Sequence, residues 1–419
     1  MNYQIEMDQE QSYADEDTKI RITGKAGAHL VLELETEDLY SVNGDIRVMD
    51  VGTRWACKIP VKLDEQGKAT LTAEVFTKLK VIESKSSSLE QDLSRIPENR
   101  SYHITMHLLS EGDVVASITH ERAFCTDEVI SREINTDQLV GRFFVRKDVK
   151  KQCPVMIVVS GSDGRIEKAQ AIAQCFARRG ITSLAVGYFG LSHLPADLTE
   201  IPMEYLKHAI TYVKEQPETD ETRIGIYGRS KGGEMVLVAA SLFHELRCVV
   251  ANTPSCYIQE GIIGGKRTSG HSSWSYQGRE LPYVRATKLS LIRLVYGMMK
   301  KDVFTFRRFY QEVTWKKGKP KNVNACIRLD QTEAHYLLLS SDTDGIWPSD
   351  LYANEAEQQL RHAGKEKQCR NVIYHRSGHM LTIPYQPIPN CREYGGELAA
   401  GVAATIEAWN ETIDFIKKN

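Results

Sequence analysis

The sequence predicts an α/β protein: a mostly parallel sheet with helices on both faces, preceded by an all-β sandwich. Three observations predict it. Roughly the first 125 residues hold short apolar-alternating runs separated by turn residues, with almost no helical periodicity. From about Glu133 onward, strand-like and helix-like segments alternate. The composition, 42% hydrophobic and 26% charged over 419 residues, is that of a globular chain and excludes wholesale disorder, collagen and coiled coil. At ~100–200 residues per domain, this length accommodates two or three domains, or one large domain with an appendage.

The β half comes first. Lys19–Thr23, His29–Leu34, Asp45–Val51, Trp55–Val61, Ala69–Val75, Ser101–Leu109 and Val114–His120 read as strands. Asn43-Gly44 and Gln66-Gly67 mark turns, and Ser84–Ser88 is a polar connection. Strands at this spacing suggest an antiparallel sandwich.

In the second half, Leu139–Val145 and Pro154–Val159 read as strands. Glu167–Arg179 reads as a helix with Ile172, Cys175 and Phe176 on one face and Gly180 as its stop. Thr182–Val186 is a strand, Pro202–Lys214 a helix, Arg223–Tyr227 a strand, Lys231–His244 a helix and Arg247–Ala251 a strand. Residues ~256–325 break the alternation; they contain a helical Leu289–Met299 and the basic run Lys316–Lys321. This is too long for a plain connection and reads as an inserted lid or cap. Tyr336–Ser340 (strand), Ser349–His362 (helix), Asn371–His375 (strand) and a closing helix from Leu398 to Lys417 follow. Val402, Ile406, Trp409, Ile413 and Ile416 line one side of that last helix. The expected division is a β domain over 1–127 and an α/β domain over 128–419.

Several classes are excluded. A formal net charge of −2 gives no global basic field for nucleic acid. No apolar run approaches the ~18 residues that span a bilayer. The polar, acidic N-terminus carries no signal or transit pattern, and the terminal Ile-Lys-Lys-Asn is no receptor-read address. A cytoplasmic protein without membrane insertion is the expectation. Nine scattered cysteines, with no Cys-x-x-Cys pair, fit reduced thiols rather than disulfides or a zinc site.

The strongest chemical signal is Gly228-Arg229-Ser230-Lys231-Gly232, a G-x-S-x-G between a strand and a helix. That context defines a nucleophile elbow, in which a sharp turn lifts the Ser hydroxyl above the sheet. The positions two before and two after approach each other, hence the glycines. The competing reading is a Gly-rich turn that binds an anion at the helix N-terminus.

A serine hydroxyl needs a base, and the base needs an orienting acid. In α/β-hydrolase architecture these follow in the order Ser, acid, His. Asp342 and Asp344 both lie just past the Tyr336–Ser340 strand, and spacing does not separate them. His379 lies in a Gly-containing loop past Asn371–His375. An oxyanion hole would use the backbone N–H of Lys231 and one from the loop Ser160-Gly161-Ser162-Asp163-Gly164. Ser162 is the first choice, with Gly161 and Asp163 close behind. The Lys231 side chain reads as solvated or paired.

Ile226–Met235, IYGRSKGGEM, resembles the nucleophile region of the acyl-CoA thioesterase / bile acid-CoA:amino acid N-acyltransferase family, whose motif is G-x-S-K-G-[GA]-E. Tyr188–Pro195, Glu204-Tyr205, Asp344–Ser349 with Tyr352–Ala356, and Gly378-His379 with Pro384-Tyr385 are similar to further family segments. The resemblance covers roughly Val140–Asn419. It implies an α/β-hydrolase domain behind an immunoglobulin-like N-terminal domain, Ser230 as nucleophile, Asp344 rather than Asp342 as acid, and His379 as base. It also implies an acyl-CoA or ester substrate, hydrolysis through an acyl-serine, and neither metal nor organic cofactor.

Two departures stand out. The stretch around Leu289–Lys321 is longer than in the animal members, and Ser230 stands where the acyltransferase branch has Cys. A serine ester is readily attacked by water, which tilts the expectation toward hydrolysis. The ends fit a bacterial, cytoplasmic member. Carboxylesterase, peptidase and amino acid N-acyltransferase remain as alternatives, because the triad does not encode the leaving group. Lys266-Arg267, Arg307-Arg308 and Lys316–Lys321 could meet CoA phosphates, although a solvated charged loop is the preferred reading of each and none is counted as a site residue.

Overall fold

The computed structural model describes residues 2–37, 53–83, 98–149, 151–163, 166–191, 194–264, 267–388 and 394–419. The expected Asp45–Val51 strand, the Asn43-Gly44 turn, the Ser84–Ser88 connection, Gly164, Lys266 and Cys391 lie outside the described residues. The other cysteines are thiols rather than disulfides.

The chain forms two compact units: Met1–Asp92, Glu98–Thr126 and Ile383–Pro389 make the first, and Leu93–Pro97, Asp127–Thr382 and Asn390–Asn419 the second.

The first unit is all-β. A six-stranded sheet runs in the order Gln11–Tyr13, Asp113–Ala123, Ser101–Ser110, His29–Thr36, Arg54–Lys62, Lys80–Glu83. A three-stranded sheet joins Gln4–Met7, Lys19–Thr23 and Lys68–Thr72. Burial alternates along His29–Thr36, with Leu30, Leu32 and Leu34 inside, as a sheet with one face on the core requires. One expectation is corrected. The strand predicted over Ala69–Val75 ends at Thr72, and a 3-10 helix, Ala73–Lys78, follows. Asp17 Oδ1 accepts from Ala73 N (2.9 Å), and Ala73, Val75 and Phe76 turn into the core.

The second unit is an eight-stranded sheet in the order Val129–Asn135, Val140–Arg146, Thr182–Gly187, Cys153–Val159, Thr219–Arg229, Leu246–Asn252, His335–Ser341, Cys369–Tyr374. The first two pairings are antiparallel and the rest parallel. The inner strands are apolar without alternation because both faces are covered. Helices are α1 (Glu167–Arg178), α2 (Glu204–Lys214), α3 (Lys231–Leu242), α4 (Lys288–Met299), α5 (Thr305–Thr314), α6 (Ser349–His362) and α7 (Leu398–Lys418). None is long and apolar enough to cross a membrane.

This order positions the site. After Cys153–Val159 the chain steps to Thr182–Gly187 on one side, then returns to Thr219–Arg229 on the other. Loops leaving the carboxyl ends of Cys153–Val159 and Thr219–Arg229 therefore flank a topological switch point, where open α/β sheets hold ligands.

Candidate active site

Ser230 follows Thr219–Arg229 and caps α3. Its φ of 56° and ψ of −121° lie where L residues rarely sit, a conformation that costs on the order of 1–3 kcal/mol. Surrounding bonds hold it there. Ser230 N donates to Asn252 O (2.9 Å), and Glu234 N donates to Ser230 O (3.0 Å). A Cβ on Gly228 would lie 2.2 Å from Gly232 O, and one on Gly232 would lie 2.0 Å from Ser160 O. Both glycines are thus required sterically. A Cβ on Gly161 would come 3.3 Å from Ser230 Cβ, so the Ser160–Asp163 loop runs directly past the elbow.

Asp344 and His379 meet. Asp344 is fully buried in the loop after His335–Ser341. Its Oδ1 accepts from Ile346 N (2.9 Å) and Trp347 N (3.2 Å), and its Oδ2 lies 2.8 Å from His379 Nδ1. A carboxylate held this way takes the Nδ1 proton and leaves Nε2 as the acceptor. The ring is 3% exposed, stacked on Tyr394 and set edge-on to Trp347. Asp342 engages a different histidine: its Oδ2 is 2.8 Å from Nδ1 of the exposed His375, and its Oδ1 accepts from Arg376 N. Partial burial raises the Asp342 carboxyl, but these bonds outweigh it and hold the group below its ordinary range. The two acids that spacing left equal thus differ in their partners.

Neighbours of Ser230 and His379 touch. Arg229 Nη1 lies 3.3 Å from Met380 Sδ, and Asn252, which accepts from Ser230 N, donates through Nδ2 to Leu381 O. Among the described residues no hydrogen bond joins Ser230 Oγ to the His379 ring. In ligand-free sites this bond is commonly long and tightens with substrate.

Ser160 and Gly161 carbonyls accept from the buried Tyr188 hydroxyl. Asp163, buried in the same loop, faces Lys168 (3.4 Å) and Arg229 (4.0 Å). Burial raises its carboxyl, and these cations more than offset that, so it stays ionised and fixes the loop. Ser162 sits half-buried between these anchors. Lys231 opens α3, where backbone N–H groups have no partner within the helix.

The Lys231 side chain is paired, not solvated. Nζ lies 3.1 Å from both Glu234 oxygens and 2.6 Å from Ser273 Oγ, all buried. Glu234 Oε1 also accepts from Gln259 N (3.1 Å) and Trp274 Nε1 (2.8 Å). Burial pushes Glu234 up and Lys231 down, and their mutual attraction opposes both shifts. Sequence reasoning missed this network; its one visible signal was the Glu of the nucleophile motif.

The basic candidates are mostly engaged. Arg307 pairs with Asp350 (2.7 Å) at low exposure, Arg308 pairs with Asp302, and Lys316–Lys321 spans a two-stranded hairpin. Exposed Glu200, His271 and Glu280 offer ligand atoms within 4.8 Å of one another, with His271 Nδ1 3.8 Å from Glu200 Oε2 and 3.5 Å from Glu280 Oε1.

Residues 201–419 match the family model described as BAAT / Acyl-CoA thioester hydrolase C terminal. Human acyl-coenzyme A thioesterase 1 is 24% identical over 322 residues, covering 74% of this chain and 70% of the relative. For human mitochondrial acyl-coenzyme A thioesterase 2 the figures are 24%, 74% and 61%. Mouse bile acid-CoA:amino acid N-acyltransferase is 24% identical, covering 72% and 68%. Among solved structures, an esterase from Pyrobaculum calidifontis aligns with a TM-score of 0.43 at 14% identity, covering 70% of this chain and 86% of that one. An α/β hydrolase from Penicillium aligns at 0.40 and 18%, covering 69% and 98%. With the family model spanning more than half of the 419 residues, the chain belongs to the BAAT / acyl-CoA thioester hydrolase family.

Proposed function

We propose that this protein is an acyl-CoA thioesterase working through Ser230, His379 and Asp344. The observation that carries the reading is the buried 2.8 Å contact between Asp344 and His379, on the same sheet rim as a serine in a strained elbow.

His379 Nε2 accepts the Ser230 proton as Oγ attacks the thioester carbonyl. Backbone N–H groups of Lys231 and Ser162 stabilise the oxyanion. The C–S bond breaks, and the CoA thiolate takes the proton from the imidazolium. Water, deprotonated by His379, then attacks the acyl-serine, and its collapse releases the fatty acid and returns the proton to Ser230. Asp344 holds the tautomer throughout and stabilises the imidazolium without being protonated. A serine rather than a cysteine at 230 supports water over an amine as acyl acceptor.

The test is release of free CoA thiol from short, medium and long acyl-CoAs by wild type and Ser230→Ala. Wild type is expected to release CoA, and Ser230→Ala to fall to background. Cleavage of p-nitrophenyl esters with no CoA release would make it an esterase. An N-acyl product on adding glycine or taurine would make it an acyltransferase.

A further inference from the structure

Helix α4 is apolar on two faces, and only one is packed. Ser290 is buried, Leu291 and Leu294 pack against the core, and Gly297 lies so close to α5 that a Cβ would sit 2.7 Å from Thr305. The opposite face carries Leu289, Ile292, Val295, Tyr296 and Met299, all 55% exposed or more. Spacings of three and four residues place them in one stripe. A helix apolar all round belongs inside a protein or against another apolar phase.

The charge around this stripe indicates which phase. Residues 281–301 contain Arg285, Lys288, Arg293, Lys300 and Lys301 and no acidic residue, in a chain whose net charge is −2. The acidic groups of the adjoining α5 region are engaged: Glu312 with Arg293, and Asp302 with Arg308. Lys300 lies over the Tyr296 ring, its ammonium 4.6 Å from the centroid, at the end of the stripe. A second copy of this chain is a poor fit, because with Arg293 paired to Glu312 a two-fold interface would still set Arg285, Lys288, Lys300 and Lys301 against the same four cations. An apolar stripe with an aromatic residue and flanking lysines matches the interfacial zone of an anionic bilayer, where long basic stems reach the headgroups.

We propose that α4 docks this protein on anionic lipid membranes, lying in the headgroup plane without crossing. This inference is independent of the reaction assigned to the site.

The test is co-sedimentation of the full chain with phosphatidylcholine vesicles, and with vesicles containing roughly one-third phosphatidylglycerol. Variants are Ile292→Asp with Met299→Asp, and Lys300→Glu with Lys301→Glu. Circular dichroism and melting temperature should match wild type, since Ile292 and Met299 are 66% and 77% exposed. Wild type is expected to sediment with the anionic vesicles only and to be released as salt rises from about 0.1 to about 0.5 M. Each variant should lose about tenfold or more in binding. Absence of binding, equal binding to neutral vesicles, or unchanged binding by either variant would overturn the proposal. So would sedimentation velocity showing a dimer that Ile292→Asp with Met299→Asp dissociates, because the stripe would then be covered by a second copy.

Discussion

Glu234→Ala is the perturbation with the largest effect expected outside the triad. Glu234 is fully buried and accepts from Lys231 Nζ, Gln259 N and Trp274 Nε1. Removing it leaves the Lys231 ammonium buried with Ser273 as its described hydrogen-bond partner, and orphans two N–H donors. Breaking a buried pair from one side costs about 3–5 kcal/mol. Each unsatisfied donor adds on the order of 1–3 kcal/mol, less whatever relaxation and water recover. Together these come to about 5 kcal/mol or more before relaxation, a large share of the ~5–15 kcal/mol that holds a domain together. The ion pair itself carries a desolvation cost, so Lys231→Met with Glu234→Leu should recover much of the loss. The assay is urea unfolding of Lys231→Met, Glu234→Leu and the double variant, read as a cycle, with Glu234→Ala measured beside them. Strong coupling is expected, with the double variant more stable than Glu234→Ala. Single losses under about 1 kcal/mol that simply add would refute the argument that the pair is desolvated and mutually dependent.

Three further outcomes are expected. Asp344→Asn should lower kcat by about 10³–10⁴ by reversing the His379 tautomer, whereas Asp342→Asn, whose carboxylate meets exposed His375, Arg376 N and Thr343 rather than His379, should stay within about twofold; steady-state kinetics on one acyl-CoA separates them. Gly161→Ala places a methyl 3.1 Å from Arg229 O and 3.3 Å from Ser230 Cβ, so kcat/KM should fall while the melting temperature moves little; a large melting shift with normal kinetics would contradict the loop's assigned place. His120 is buried against Ser12, and desolvation together with Arg122 pushes its imidazole down to about 4. With the folded value below the unfolded one, its contribution is full above ~6.5 and is lost as pH falls toward 4, by up to about 3 kcal/mol; His120→Gln should flatten that window in urea titrations.

Much of the second unit was legible because its inner strands are continuous apolar runs and its helices carry 3.6-residue periodicity. The elbow was legible because steric crowding at Gly228 and Gly232 leaves a mark in the sequence. The choice between Asp342 and Asp344 was not readable from spacing, since both follow the same strand. The family resemblance pointed to Asp344, and in the structure Asp344, held by two backbone N–H groups, meets His379 while Asp342 meets His375. Val129–Asn135 was missed because only its Val129 and Ile134 are buried, which gives no clear period. Helix α5 was missed inside a stretch whose irregular spacing reads as loop, although Phe309 and Val313 are buried. The Lys231–Glu234–Trp274 network was hidden for another reason: charged residues read as surface until a distant segment supplies their partners.

The most direct measurement is peptide mass mapping after rapid acid quench of the enzyme turning over an acyl-CoA. The account predicts one acyl adduct on the peptide carrying Ser230, absent from Ser230→Ala. Continued CoA release with no adduct there, or an adduct on a cysteine instead, would contradict it.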